Sequence, residues 1–266
     1  MVWERKHVEF IYFDEIPYEP LEVEGLPPGL ELKVFSMDES DGALSGLMKI
    51  PPGWHADADF TLNTPEHLFI VSGDLTIGEE TLTEQFYSYH PKGSSHGKMS
   101  TQAGCEAIVM WDAKFGINLG DEGSTDGIIL KDTIKMSWEP TVAEGPQAGI
   151  MTKMLRFVPE TGEMLFIVGI LPNWRESRPR HHPCVEESFK ILGDMNLNTN
   201  LGEKLLMGER SYFYRPPWIK HGPLYTRKGT MSLVRTSSLL ENRYMPLEED
   251  SDYLKLIATK KQALKQ

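Results

Sequence analysis

The sequence predicts an all-β protein of two tandem barrels, with one short helix near its C-terminal end. Two observations predict this. The chain aligns with itself at a nearly constant offset, so one folding unit is present twice. Within each copy, short runs rich in β-branched and aromatic residues alternate with Gly, Pro and Asp, the signature of many short strands joined by turns.

The repeat sets the domain organisation. At an offset of 120, residues 18–74 align with 138–194 without a gap. Glu19-Pro20 meets Glu139-Pro140, Lys33 meets Lys153, Pro52 and Trp54 meet Pro172 and Trp174, and Gly73-Asp74 meets Gly193-Asp194. Tyr18 faces Trp138, an aromatic for an aromatic. After Gly193 the second copy gains five residues and the offset becomes 125, so that Tyr87, Tyr89, Pro91, His96 and Gly97 meet Tyr212, Tyr214, Pro216, His221 and Gly222. The insertion falls around Asn196 to Gly208, a polar stretch that reads as a longer turn.

In chain order, the strands expected in the first copy are Leu44–Ile50, Leu68–Ile77, Phe86–His90 and Ala107–Trp111. Their counterparts are Met164–Leu171, Ser188–Leu192, Tyr212–Arg215 and Met231–Thr236. The first barrel is thus expected over 1–114, a Gly-, Asp- and Ser-bearing connector over 115–137, and the second barrel over 138–266. A stripe of Leu254, Ile257 and Leu264 marks a helix over about 250–264, expected to dock on a barrel or a partner subunit.

Composition bounds the function. The 266 residues are 40% hydrophobic and 25% charged, ordinary values for a globular chain. With 27 basic against 39 acidic residues the net charge is −12, which argues against a general nucleic-acid or anionic-membrane binder, since both need a positive footprint. The longest apolar run, Met164–Leu171, is far short of a membrane-spanning helix. The first residues lack the apolar stretch of a signal peptide, and Cys105 and Cys184 make no disulfide framework, so a cytoplasmic location is expected.

The residues that carry chemistry resemble a known pattern. Glu66 and six residues then Gly73, and Glu186 and six residues then Gly193, look like the end of the first cupin motif. Pro91-Lys-Gly-Ser-Ser-His96-Gly and Pro216-Pro-Trp-Ile-Lys-His221-Gly look like the second. The chain therefore resembles a bicupin, two jelly-roll barrels, over about residues 18–238. Trp138-Glu-Pro140 with Gly162, Pro172, Trp174 and Glu186-Glu187 is similar to the cupin domain of ChrR-type anti-sigma factors.

The resemblance implies a divalent metal held by three His and one Glu. In the second copy the matching positions are Arg180, His182, Glu186 and His221, so the first His is missing. Two His and one carboxylate remain, a facial set that suits non-haem Fe(II), with Zn or Mn as alternatives. His181 is one residue out of phase, and a bulge could bring it in as a fourth ligand. In the first copy the positions are Phe60, Leu62, Glu66 and His96, two of them unable to coordinate. His55 is a possible replacement and His67 a weaker one, and the reading is a degenerate barrel kept for packing.

Neighbouring residues suggest how a ligand is held. Arg180 stands where a ligand would be and could pair with a carboxylate or enolate, its rivals being a salt bridge to Glu186 or exposure. Arg175, Arg178, Arg215 and Arg235 could add positive charge at the barrel mouth or form a solvated face. Cys184 is either a thiol near the metal or a small buried filler. Tyr212, Tyr214 and Trp218 are candidates to line a substrate pocket, while Trp54 and Trp174 recur in both copies and read as packing.

The function expected is a metal-dependent oxygenase, of the dioxygenase type, acting on a small anionic, enolisable or phenolic molecule. The alternative is a non-catalytic metal or ligand sensor of the ChrR-like kind, weakened because no His/Cys zinc segment precedes the repeat. Because open sheet edges need cover, a homodimer is expected.

Overall fold

The computed structural model describes residues 3–120, 123–141, 148–198 and 204–245. The chain divides into two units, Met1–Ser137 and Trp138–Gln266. Among the described residues there is no α-helix, only a 3-10 turn at Phe13–Glu15. The helix expected over 250–264 lies outside the described residues.

The repeat in sequence is a repeat in strand order. In the first unit the neighbours run Phe86–His90, Glu66–Ile77, Cys105–Trp111, Leu44–Ile50, Glu31–Met37 and Glu19–Pro20. In the second they run Ser211–Arg215, Glu186–Gly193, Thr230–Thr236, Glu163–Ile170, Ile150–Val158 and Glu139–Pro140. All of these pairs are antiparallel. The eight strands expected from the sequence are present, with ends displaced by a residue or two. Glu31–Met37 and Ile150–Val158 were not expected, for a physical reason: both carry a β-bulge at the same place, between Val34 and Ser36 and between Met154 and Arg156, which breaks the period-two pattern. Each also carries a buried lysine, on the face opposite the residues that line the interior (Leu32 in the first unit, Thr152 and Met154 in the second). Lys33 and Lys153 lie over the rings of Tyr18 and Trp138, at 4.4 and 4.5 Å from the ring centres, so the repeated lysine and aromatic form one cation–π pair twice.

The stretch 115–137 also forms strands. Ile117–Leu119 pairs with Phe60–Leu62, and Ile129–Asp132 pairs with Phe86–His90, so this stretch is built into the first unit. The insertion near Asn196 is not merely a turn. Met195–Asn198 and Lys204–Met207 pair as strands, an extended version of the pair Asp74–Ile77 and Glu80–Thr83 in the first unit.

The repeated Gly-Asp makes the corner at which the chain leaves the main sheet. Gly73 and Gly193 both have φ of +81°. A Cβ there would fall 1.9 Å from the Gly104 carbonyl oxygen and 2.0 Å from that of Gly229. The next residue ties the corner down: Asp194 accepts from the backbone N–H of Lys228 at 2.8 Å and of Arg227 at 3.3 Å, and Asp74 accepts from those of Ala103 and Gln102 at 3.2 and 3.3 Å.

The interiors diverge. The first barrel is filled by a continuous apolar core that includes Phe60, Leu62, Leu68, Ile70, Cys105, Ala107 and Trp111. The second holds a cavity of about 140 Å³. Among the described residues no helix is long and apolar enough to cross a membrane.

Gly193→Ala combines a disfavoured φ with a backbone clash and is expected to destabilise the second unit by about 2 kcal/mol or more. Urea unfolding followed by tryptophan fluorescence reads this, and a wild-type midpoint would show that the corner is free to open.

Candidate metal centre

His182, Glu186 and His221 come together inside the second unit, with one ligand atom from each lying within 4.8 Å of the others. Glu186 is the first residue of the strand Glu186–Gly193. His182 follows the short strand Arg180–His181, and its carbonyl accepts from the Trp218 N–H at 2.8 Å. His221 is held to the same stretch by a two-way backbone bridge: Arg180 and His221 exchange N–H to carbonyl hydrogen bonds, both at 2.9 Å. The bridge places His221 opposite the His182 loop without a long strand.

Hydrogen bonds settle the tautomers. His182 Nδ1 lies 3.1 Å from the Glu241 carbonyl oxygen, and His221 Nδ1 lies 3.0 Å from that of Ile219. A carbonyl only accepts, so each Nδ1 carries the proton and each Nε2 presents a lone pair. These two Nε2 atoms face each other at 3.2 Å, with Glu186 Oε2 at 3.7 Å from the first and 3.9 Å from the second. Three electron-rich atoms converging out of water repel one another unless a cation sits among them. The donors fit a divalent metal, and the Nδ1–carbonyl bonds are the outer contacts that usually orient histidine ligands. Burial lowers the pKa of both rings, and the positive charge of Arg215 and Arg180 lowers it further, most strongly at His221. Both are therefore neutral at pH 7, the form that binds a metal.

Residues 121–243 match the family model described as "Domain of unknown function (DUF4437)". No curated protein sequence matches the chain. Among solved structures, the chain is similar to a "putative dioxygenase" from Nostoc punctiforme at 19% identity, covering 90% of this chain and 86% of that one with a TM-score of 0.79. It is also similar to salicylate 1,2-dioxygenase from Pseudoaminobacter salicylatoxidans in complex with gentisate, at 13% identity, 76% and 72% coverage and a TM-score of 0.54. A third likeness is to the formate complex of Lactobacillus farciminis oxalate decarboxylase, at 11% identity, 89% and 88% coverage and a TM-score of 0.57.

The fold is the cupin jelly roll.

Within this cupin fold the other expected site residues scatter. His181 is not part of the cluster; its ring meets Trp218 edge-on at 5.5 Å. Trp218 is half exposed and also lies under Arg243. Tyr212 and Tyr214 do not line the cavity. Strand alternation turns them to the opposite face, where the Tyr212 hydroxyl donates to Glu187, and it turns Phe213 and Arg215 inward instead. Arg180 lines the cavity, paired with Glu176 rather than Glu186, and its buried Nε has no partner. The arginine that approaches Glu186 is Arg215, at 3.4 Å. Arg175 and Arg178 stack on Tyr225 and Tyr244, and Arg235 is fully buried against Glu163 at 2.7 Å. Cys184 is a buried filler whose thiol burial pushes up to about 12, so it is no thiolate. Trp54 packs in the first core as expected, whereas Trp174 lines the cavity.

The first cupin barrel closes the equivalent place. Glu66 accepts from the Trp111 indole at 2.9 Å and meets His96 Nε2 at 3.0 Å, which occupies both carboxylate oxygens. His55 is exposed on the surface beside Asp57, and His67 pairs with the Tyr87 hydroxyl at 2.9 Å. Of the four arginines that could add charge at the mouth, Arg215 lines the cavity; Lys190, Thr230 and Ser232, on inward positions of the second barrel, are not marked by the motif. The signal was there for Lys190, a charged residue in phase with Glu186 and Ser188 on one strand.

The lowered imidazole pKa values have a consequence for stability. Below about pH 6.5, the ordinary histidine value, the unfolded chain takes up protons that the folded rings still refuse, so folding weakens as pH falls toward their lowered values. Urea titrations of metal-free protein between pH 7.5 and pH 5 are expected to show this slope, flattened in His182→Asn/His221→Asn. An equal slope in both proteins would contradict it.

Proposed function

We propose that the protein is a metal-dependent enzyme of the dioxygenase type, with His182, Glu186 and His221 holding one divalent ion and a small anionic, enolisable or phenolic molecule as substrate. The observation that carries this reading is the pair of buried Nε2 lone pairs facing one another beside Glu186. Glu186 belongs both to that cluster and to the wall of the cavity, so a molecule in the cavity meets the cluster there.

Two imidazoles and one carboxylate suit Fe(II), and Zn or Mn can use the same donors. A divalent iron bound there would supply Lewis acidity and the one-electron chemistry through which dioxygen reacts. The chain does the rest. Arg215 and Arg180 put positive charge at the Glu186 end of the cavity, where they can hold an oxyanion of the substrate. Phe213, Met164, Phe166 and Val234 give that oxyanion an apolar surround, which strengthens each charge contact and excludes bulk water. The likeness to structures that bind gentisate and formate supports a small anionic substrate.

Metal analysis tests the reading first. Wild-type protein is expected to bind about one divalent ion per chain, and His182→Ala or Glu186→Gln to weaken it at least ~10-fold. Glu66→Gln, in the first barrel, should leave the content unchanged. Iron-loaded protein should then consume dioxygen with a β-diketone or a dihydroxybenzoate. Full metal retention by both second-barrel variants would refute the assignment.

A further inference from the structure

The cavity of the second barrel has two polar ends. One is the Glu186 end. The other is Lys190, on the same strand and the same inward phase, four residues on, or about 13 Å at ~3.3 Å per residue. Lys190 is buried, and its Nζ donates to Thr230 Oγ1 at 2.6 Å and to Ser232 Oγ at 2.7 Å. Thr230 in turn donates to the Leu192 carbonyl at 3.1 Å. Among the described residues no carboxylate forms an ion pair with Lys190. Asp194 is occupied elsewhere, by Asn196, Thr226 and two backbone N–H groups.

An ammonium buried against two hydroxyls and apolar side chains is unfavourable, and hydroxyls cannot neutralise it. Burial pushes its pKa down to about 7, against the pull of Asp194 and Glu186. The repeat shows that the fold does not need it. At the matching positions the first barrel has Ile70 for Lys190, Cys105 for Thr230 and Ala107 for Ser232, all within its apolar core. The cross-strand partnership is the same in both: Ala107 pairs with Ile70, and Ser232 with Lys190. The three polar residues thus occur together in the barrel that has a cavity.

We propose that Lys190, Thr230 and Ser232 form a carboxylate-binding site, which receives the far end of an elongated, apolar-bodied substrate whose other end lies at Glu186. The ligand carboxylate supplies the missing counter-charge, accepting from the third ammonium proton. Val168, Met195, Met207 and Leu224 line the cavity and suit an apolar body between the two ends. This deepens the proposed function by naming the substrate's class, and it rests on that reading only for which end reacts.

Calorimetric titration of metal-stripped and metal-loaded protein with butanoate, hexanoate and octanoate, and with the matching alcohols, tests it. Expected are binding of at least one carboxylate by both forms, an affinity above that of its alcohol, and a loss of ten-fold or more in Lys190→Met with the alcohol unaffected. Lys190→Met should also melt no lower than wild type, since it removes a buried charge; Lys190→Gln is the second variant. Equal carboxylate affinity in wild type and the folded variants, no preference over the alcohols, or no binding at all overturns the proposal. Binding to metal-stripped protein separates this outcome from failure of the metal assignment, which leaves the Lys190 effect intact.

Discussion

Two imidazole nitrogens that turn their lone pairs on each other across 3.2 Å, beside a buried carboxylate, are the constraint around which the second barrel is organised. Two buried lone pairs facing each other are unfavourable unless a positive charge lies between them. The surroundings enforce the arrangement nonetheless. The Ile219 and Glu241 carbonyls fix both tautomers, and the Arg180–His221 backbone bridge fixes the distance between two loops that are far apart in sequence. Burial, helped by the positive charge of Arg215 and Arg180, lowers the pKa of both rings.

The duplicated cupin fold shows which residues serve the frame and which serve the site. The Gly-Asp corners and the lysine–aromatic pairs are the same in both barrels; the corners answer to a close backbone approach, and the pairs repeat one side-chain contact. Inside, side-chain size and polarity decide the outcome. Trp111 fills its barrel and caps Glu66, where the second barrel has Thr236 and leaves Glu186 open to a cavity. One barrel fills its interior with apolar side chains and the other keeps a cavity.

The fold and the three-residue cluster were legible in the sequence because each depends on local signals. Glycines at a corner, strands bounded by turns and a Glu with a His at fixed spacing all leave marks along the chain. The two bulged strands were hidden, since one extra residue erases the alternation on which a strand is recognised. The same one-residue sensitivity governs the cavity wall: Tyr212 and Tyr214 have the right chemistry but the wrong phase, and Phe213 and Arg215 between them face inward.

By itself, then, the amino-acid order determined the duplication and the all-β class, and it singled out His182, Glu186 and His221, which the fold brings within reach of one another. Only tertiary structure decided which arginine approaches Glu186, that Arg180 pairs with Glu176, and that Lys190 reaches across to Thr230 and Ser232. The reason is physical: strand identity is a property of neighbours along the chain, whereas a side chain's partner depends on strand register and on loops that meet in space, and neither is encoded in spacing alone.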